Sequence, residues 1–286
     1  MHRSTAHVAD LDESRVQWDT ISAAWMRWQA TFEHGGAPVT AQLMELSGVR
    51  PGHRILDVGT GLGEPALTVA RAVGPTGSVV GIDVSPEMIK LARKRASGLS
   101  NVKFLAADPE AVQTNRPFDT ILSRWCLMLV PERDAMLRAL RELLVPGGVL
   151  AAAVWGPAST APMMSLAFEV LGPLLGLPPP ARDQPGPFAM ADAQQCRSEL
   201  TAAGYGFVSV VALDAPFWVE SPEQYARFAR DVLPPRFKQL LRDRLGSADD
   251  PQVWQAVASK ATRYFDGDRV VLTSRVFCMR GVAPVG

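Results

Sequence analysis

The chain has 286 residues, of which 47% are hydrophobic and 20% charged, so it can bury one sizeable core, alone or with a substantial appendage. Lysine and arginine total 29, as do aspartate and glutamate, which argues against the overall basic field typical of nucleic-acid-binding proteins. The cysteines form no CxxC pair, and no apolar run resembles a signal peptide or a membrane span. We therefore expect a cytoplasmic protein without a disulfide, a bound metal, a nucleic-acid partner or a membrane partner.

The first 47 residues predict a helical segment. Apolar residues recur at near-helical spacing from Leu11 to Glu33, which indicates a helix. Gly35 and Gly36 are expected to end it, because glycine disfavours the helix interior. A second helix is predicted over Pro38–Leu46.

Between residues 54 and 154, short apolar stretches alternate with helical patterns. Ser85 and Pro86 mark one helix start, since serine is a favoured N-cap and proline a favoured first residue. Apolar strands separated by helices are typical of parallel strands covered on both faces, and they predict a doubly wound α/β sheet. The predicted strands are Arg54–Val58, Ser78–Ile82, Val102–Ala106, Phe118–Ser123 and Val149–Val154, and the predicted helices are Glu64–Val73, Glu87–Ala96 and Glu132–Leu144.

The alternation of strands and helices breaks twice after Trp155. A segment rich in proline and glycine comes first, and a helical segment comes later; the α/β pattern returns between them and after them, with strands over Phe207–Leu213 and Val270–Met279. We expect an N-terminal helical cap segment (1–47), an α/β core (48–156), a cap insertion (157–190), more core (191–219), a helical cap insertion (220–268) and a last core strand with a tail (269–286).

The strongest local signal is a glycine-rich turn after the first strand. Asp57 is followed by glycines at 59, 61 and 63, in the pattern D-x-G-x-G-x-G. Glycines there let a ligand lie against bare backbone at the carboxyl end of a strand. A dinucleotide-binding turn requires a further glycine where this chain has Glu64. An acidic Asp57 is also unsuited to a pyrophosphate, and it fits a ligand that carries an ammonium group.

Two more acids follow the next two predicted strands. Asp83 ends the second strand, where a carboxylate can accept both hydroxyls of a ribose. Asp108 follows the third strand, where an acceptor would meet the exocyclic amine of adenine. Each acid alone is equally consistent with a helix or turn cap. Together they indicate one ligand that carries an ammonium group, a ribose and an adenine.

The sequence resembles the class I methyltransferases that depend on S-adenosylmethionine (SAM). The similarity is to the small-molecule branch, which includes ubiquinone and menaquinone C-methyltransferases and natural-product O-methyltransferases. It runs from about Pro51 to Gly156 in the stretches ILDVGTGLGEPAL, VVGIDVSPEMIKLAR, VKFLAADPEAV, FDTILSRWCLMLV and LLVPGGVLAAAVWG. The resemblance implies SAM as cofactor and a Rossmann-like, mostly parallel sheet of seven strands, ordered 3-2-1-4-5-7-6, with strand seven antiparallel.

The resemblance also assigns site residues. It places Asp83 at the ribose and Asp108 at the adenine amine. Residues that would touch the methionine part are Gly59, Thr60 and Gly61; those around the adenine are Val84, Met88, Ala107 and Pro109; those under the cofactor and acceptor are Ser123, Arg124 and Trp125. The chain lacks the N-P-P-Y type motif after strand four that is typical of enzymes acting on adenine or glutamine amino groups.

Few residues are candidates for direct chemistry. His34 is the one histidine placed as a candidate base, and a surface histidine at a helix end is the alternative. Cys126 is either a nucleophile or a buried structural cysteine. Arg124 is expected to bind the cofactor carboxylate or an acidic acceptor, or to be solvated or paired.

Aromatic residues of the predicted cap suggest a pocket for the acceptor. The candidates are Trp18, Trp25, Trp28, Phe188 and Trp218, and their alternative role is ordinary core packing. The hypothesis is methyl transfer to an O, C or N atom of a small hydrophobic or aromatic metabolite of natural-product or quinone type, with a homodimer as a further expectation. The alternatives are a SAM-binding enzyme of cyclisation or decarboxylation, an NAD-dependent oxidoreductase and a silent binding module.

Overall fold

The computed structural model describes residues 5–108, 112, 114, 116–178 and 184–285, with side chains from Asp12 onward. Its strands are β1 Arg54–Val58, β2 Ser78–Asp83, β3 Val102–Ala106, β4 Phe118–Arg124, β5 Leu144–Trp155, β6 Gly206–Ala215, β7 Trp218–Val219, β8 Val270–Val271 and β9 Ser274–Val282. Its helices are α1 Thr5–Arg27, α2 Gln29–Ser47, α3 Ala66–Val73, α4 Pro86–Arg95, α5 Arg133–Glu142, α6 Pro162–Ser165, α7 Phe168–Leu175, α8 Ala193–Ala202, α9 Pro222–Val232, α10 Pro235–Leu245 and α11 Pro251–Ala261.

Seven of the strands form one sheet in the order β3-β2-β1-β4-β5-β9-β6. Strands β1 to β5 pair in parallel, and β9 lies antiparallel between β5 and β6. With β9 as the seventh strand of the sheet, the predicted order and the predicted antiparallel strand are both confirmed. The short strands β7 and β8 form a separate antiparallel pair.

The amino-terminal helices differ from the prediction. The break falls at Trp28 (φ −95°, ψ 9°), and α2 runs through Gly35 and Gly36 without ending. The reason is steric, because a Cβ atom at Gly35 would overlap the Phe217 ring, and one at Gly36 would lie 2.5 Å from Nη1 of Arg124. These glycines let α2 lie close against the sheet, so the prediction that they end a helix was wrong.

Two strand boundaries also differ from the prediction. Strand β5 begins at Leu144 rather than at residue 149, with an irregular register against β4 between Phe118 and Thr120. The predicted final strand divides into β8 and β9. The Leu272 N–H donates to the Phe217 carbonyl, which continues the β7–β8 pairing by one residue, and β9 begins at Ser274. The predicted cap on α4 is present: Ser85 Oγ accepts the Met88 N–H at 3.1 Å, with Pro86 as the first helical residue.

Helices from both ends of the chain pack together beside the sheet. Helix α1 contacts α4 and α9, α9 contacts α11, and α7 contacts α10 and α11. Helix α2 lies against β4, β5 and β9. In the part of the chain that is described, no helix is both long and apolar enough to cross a bilayer.

Candidate cofactor and acceptor site

The glycine-rich turn joins β1 to α3 and is attached to β2. Gly59 and Thr60 both donate their N–H to the Ile82 carbonyl at 2.9 Å. Gly59 and Gly61 have φ angles of 69° and 51°, in the left-handed region that favours glycine. A Cβ atom at Gly59 would overlap the Cys126 side chain, whereas one at Gly61 would meet nothing within 4 Å. The turn therefore leaves the backbone around Gly61 accessible to a ligand.

Asp57 lies under this turn and is fully buried. Its Oδ2 accepts the Ala66 N–H at 3.2 Å, while its Oδ1 has no hydrogen-bond partner among the described residues. Burial raises the pKa of the Asp57 carboxyl from 3.8 to about 7, because the charged form is poorly solvated. The Thr60 side chain also favours the charged form of Asp57. A buried carboxylate suits a cationic donor, and the role predicted for Asp57 stays a prediction.

Asp83 ends β2 and is held in place by backbone donors. Its Oδ2 accepts the Gly61 N–H and its Oδ1 accepts the Ser85 N–H, both at 2.9 Å. Each carboxylate oxygen can accept a second hydrogen bond, so a pair of ribose hydroxyls still fits. Burial raises the pKa of Asp83 from 3.8 to about 6. The carboxyl is therefore mostly ionised at neutral pH.

The third predicted acid continues the same edge of the sheet. Asp83 pairs in register with Ala106, and Asp108 follows two residues later, half-buried. Ala107 donates its N–H to the Asp83 carbonyl at 2.9 Å, and Met88 is buried on α4. Val84 follows Asp83 and is partly exposed. Pro109 lies outside the described residues.

Three residues were predicted under the cofactor, Ser123, Arg124 and Trp125. Two of them, Ser123 and Trp125, differ in their surroundings. Ser123 is buried, and its hydroxyl donates to the Val58 carbonyl at 3.0 Å, which joins the tips of β4 and β1. Trp125 follows β4 and faces the aromatic residues of the helices. The structure thus shows a structural contact for Ser123, and its predicted place under the cofactor stays a prediction.

Arg124 also has partners that the sequence did not indicate. Its Nη2 lies 3.2 Å from both carboxylate oxygens of Glu33, and its Nη1 donates to the Thr40 hydroxyl at 3.0 Å. Both partners lie on α2, which continues past the glycines that were expected to end it. The guanidinium therefore fastens α2 to β4, and the structure shows no contact between it and the glycine-rich turn.

The two candidates for direct chemistry are not arranged for it. His34 is exposed on α2, where its ring lies edge-on to Trp218 at 5.4 Å between centroids. Burial raises the pKa of the Cys126 thiol to about 12, so the thiol stays neutral at physiological pH. The alternative roles, a surface histidine and a structural cysteine, agree with these positions.

A continuous group of aromatic rings connects the helices to the tips of β4 and β5. Trp25 contacts Phe32 at 4.5 Å between ring centroids, Phe32 contacts Trp125 at 5.6 Å, and Trp125 stacks on Trp155 at 4.5 Å with the planes 6° apart. We call these four residues the aromatic bridge. Trp18 adjoins it through Trp25 at 6.3 Å.

The other predicted pocket residues lie outside the aromatic bridge. Trp28 packs on Phe228, and its Nε1 donates to Asp231 at 3.0 Å. Trp218 lies in β7 beside His34, and Phe188 has no ring contact in the part of the chain that is described. Core packing therefore accounts for Trp28, and Trp18 and Trp25 remain candidates for the acceptor pocket.

Sequence reasoning missed Asp19 of α1. Its Oδ1 accepts the Ser85 hydroxyl at 2.5 Å and the Glu87 N–H at 3.2 Å, at the start of α4. Its negative charge contributes to the raised pKa of Asp83. No local pattern marks this residue, because its partners lie more than sixty positions away in the sequence.

Known proteins agree with this geometry. Residues 50–165 match a family model described as a methyltransferase domain. The chain is 40% identical, over 111 residues, to the ubiquinone/menaquinone biosynthesis C-methyltransferase UbiE of Pseudomonas putida. The matched region covers 37% of this chain and 43% of that protein. The chain thus spans less than half the length of this curated relative.

Solved structures show the same fold. The cyclase SpnF is similar with a TM-score of 0.53 and 24% identity, over 87% of this chain and 82% of that one. Phosphoethanolamine N-methyltransferase 2 of Haemonchus contortus, in complex with S-adenosylhomocysteine, is similar with a TM-score of 0.55 and 16% identity, over 89% of this chain and 56% of that one.

The sheet order is that of the class I methyltransferase fold. The match to a methyltransferase domain over residues 50–165, and the shared fold with structures that hold S-adenosylhomocysteine or S-adenosylmethionine, support SAM as the cofactor. The residues present fit that cofactor, because Asp57 offers a buried acceptor without a partner and Asp83 offers a fixed carboxylate.

Proposed function

We propose that the chain is a SAM-dependent methyltransferase that acts on a small hydrophobic or aromatic molecule. The proposal depends on one observation: the predicted cofactor surface lies next to an aromatic surface. The acids at the tips of β1 and β2 suit SAM, and Trp125 and Trp155, beyond the tips of β4 and β5, offer flat apolar surface. Cys126, next to Trp125 in sequence, packs against Gly59 of the cofactor turn and joins the two surfaces.

The chain's own residues would bind and orient the two reactants. When bound, SAM would supply an electrophilic methyl group to a nucleophile of the acceptor, with S-adenosylhomocysteine as the leaving group. Asp83 fixes the ribose end, Asp57 accepts from the ammonium end, and the backbone at Gly61 lies against the ligand. Alignment at near-attack distance is the main contribution that such a site makes to the rate.

The aromatic bridge would serve as the wall beside the reacting atoms. Aromatic faces attract a cation, and they keep water away from the transfer. The two residues that the sequence offered for direct chemistry are not placed as bases, because His34 is exposed and the Cys126 thiol stays neutral. The ionisable groups at the turn are the carboxyls of Asp57 and Asp83, which the proposal assigns to SAM. We infer that the acceptor needs little help with deprotonation, as with a phenol, an amine or an activated carbon.

A specific observation keeps a second function in consideration. Neither His34 nor Cys126 is placed as a base, and this arrangement is equally consistent with an enzyme that binds SAM without transferring its methyl group. Similarity to the cyclase SpnF is in line with that candidate, although it bears on the fold alone. The cytoplasmic location and the homodimer stay predictions.

Product analysis tests the proposal. The protein is incubated with methyl-labelled SAM and a panel of phenols, aromatic amines and hydroquinones. We expect labelled product and S-adenosylhomocysteine in equal amounts, and we expect neither with the Asp83→Ala variant. Binding of SAM without labelled product from any acceptor would contradict methyl transfer and favour the second function.

A further inference from the structure

Two tryptophans of the aromatic bridge have buried N–H groups without a partner. The Nε1 atoms of Trp25 and Trp125 are both inaccessible to solvent, and neither has a hydrogen-bond acceptor among the described residues. A buried donor without an acceptor destabilises a protein, since it loses its hydrogen bonds to water without replacement. Such groups call for an explanation.

Other tryptophans of the same chain have hydrogen-bond acceptors for their indole N–H groups. Trp28 lies next to the aromatic bridge, and its Nε1 donates to Asp231 at 3.0 Å. Trp254 is buried on α11, and its Nε1 donates to the Ala248 carbonyl at 2.9 Å. Tryptophans with a structural role are therefore given acceptors, and the two in the bridge are not.

The position of Trp125 points to a ligand. It follows β4 with a φ angle of 61°, a strained backbone conformation for a bulky residue and one that is found at functional sites. The next residue, Cys126, packs against Gly59 of the cofactor turn. Trp125 is therefore next in sequence to a residue that contacts the predicted cofactor turn.

Trp25 contributes its donor from the opposite side. It lies on α1 and meets Phe32 edge-on, and Phe32 in turn meets Trp125 edge-on. The described polar contacts of α1 with the rest of the protein are few: Asp19 to the start of α4, and Arg27 to Asp231. The remaining contacts of α1, with α4 and α9, are packing contacts. A shift of α1 away from α2 is the movement that would admit a flat molecule beside Phe32.

We propose that Trp25 and Trp125 are specificity-determining hydrogen-bond donors for the acceptor. The ligand class that they select is a flat aromatic molecule with a carbonyl oxygen, because an indole N–H can only donate and a carbonyl oxygen can only accept. Rings without such an oxygen would leave both donors unpaired and bind more weakly. This inference rests on the proposed function for the identity of the pocket.

A pair of matched probes tests the donors directly. 9-Fluorenone and fluorene share a flat ring system and differ in one carbonyl group. With S-adenosylhomocysteine present, we expect 9-fluorenone to bind the wild-type protein about tenfold more tightly, as one good hydrogen bond provides. Equal affinities, or binding of neither compound, would overturn the proposal.

Substitution by phenylalanine removes the donor and keeps a ring. We expect Trp125→Phe and Trp25→Phe to reduce the preference for 9-fluorenone to about twofold or less. Their melting temperatures should fall less than that of Trp28→Phe, because each loses ring packing but no hydrogen bond. Trp28→Phe is the matched control: it should lower the melting temperature, since the hydrogen bond from Nε1 of Trp28 to Asp231 is lost while Arg27 still pairs with Asp231, and it should retain the tenfold preference. A preference that survives both bridge substitutions would contradict the assignment.

A measurement on the wild-type protein covers the case in which a variant does not fold. The chain has seven tryptophans, and an NMR spectrum with ¹⁵N-labelled indoles resolves their N–H signals. 9-Fluorenone should shift two of them strongly downfield, and fluorene should not. Because this readout needs neither turnover nor methyl transfer, a protein that binds SAM and prefers 9-fluorenone but transfers no methyl group would contradict only the proposed function.

Discussion

The two halves of the site are built in different ways. On the cofactor side, Asp57, Asp83 and the glycine turn lie at the ends of neighbouring strands and are fixed by backbone groups nearby. On the acceptor side, the contacts join distant parts of the chain, such as Glu33 with Arg124 and Phe32 with Trp125. The first half is a property of the sheet, and the second depends on how α1 and α2 lie against it.

This difference predicts that changes on the two sides have separable effects. Cofactor-side changes should alter SAM affinity with little effect on stability. Changes on the helical side should alter stability, or acceptor recognition, with little direct effect on SAM.

The largest expected effect is that of Asp83→Ala on the affinity for SAM. Removing a carboxylate that accepts charge-assisted hydrogen bonds from ribose should weaken binding about a hundredfold or more, measured by calorimetry. Asp119→Ala is the matched control, because Asp119 also accepts a backbone N–H, from Arg54 at 2.7 Å, but at the opposite end of β1. Similar losses of affinity in both variants would contradict the assignment of Asp83.

A large effect on stability is expected from Gly36→Ala. The new methyl group would lie 2.5 Å from Nη1 of Arg124 and push α2 away from β4. We expect a loss of about 2 kcal/mol in the free energy of unfolding, measured with denaturant. Gly172→Ala on α7 is the control, since nothing lies within 4 Å of its Cβ position, and it should be neutral or slightly stabilising. A neutral Gly36→Ala would show that α2 is not held against Arg124.

The pH dependence of SAM binding should follow the carboxyl of Asp83. Its pKa is about 6 in the cofactor-free protein, and ribose hydroxyls favour the ionised form, so affinity should fall as the pH decreases through 6. At pH 5 the ionised fraction is roughly a tenth, and SAM should bind about tenfold more weakly than at pH 8. Affinity that is constant over this range would contradict a buried carboxyl as the ribose acceptor.

The stability of the cofactor-free protein has the opposite pH dependence. The folded-state pKa of Asp83 lies above its ordinary value of 3.8, so the folded protein binds more protons than the unfolded chain between about pH 4 and 6. The stability from this carboxyl is full below pH 3.8 and is lost as the pH rises through 6. Asp57, with a pKa of about 7, acts in the same direction.

The smallest expected effect is that of Asp19→Asn, a change on the helical side, on the pH dependence of SAM affinity. Asp19→Asn keeps an oxygen that can accept from Ser85 and removes the charge that contributes to the raised pKa of Asp83. The midpoint of the pH dependence of SAM affinity should fall by about half a pH unit. An unchanged midpoint would mean that α1 does not influence the cofactor side.

Sequence reasoning predicted the cofactor side well for a physical reason. Strand ends are visible as apolar runs, and parallel strands bring their carboxyl ends to one edge, so Asp57, Asp83 and Asp108 follow from local patterns. Whether each binds the predicted part of SAM stays a prediction. The glycine turn is likewise a property of a short sequence stretch, whereas the sheet order was implied by the resemblance to the class I methyltransferases.

The acceptor side was not predictable in the same way. Gly35 and Gly36 indicate a helix end by local propensity, and only tertiary contact with Phe217 and Arg124 explains why the helix continues. The partners of Arg124 and Asp19 depend on that helix arrangement. No local pattern shows which tryptophans meet across α1 and β4.

Calorimetric titration of the pure protein with SAM tests the central claim most directly. We predict one site per chain and a net release of protons at pH 6.5, seen as a difference in measured heat between buffers of different ionisation enthalpy, because binding favours the ionised carboxyls. NAD should give no heat. Absence of heat with both SAM and S-adenosylhomocysteine would contradict the account.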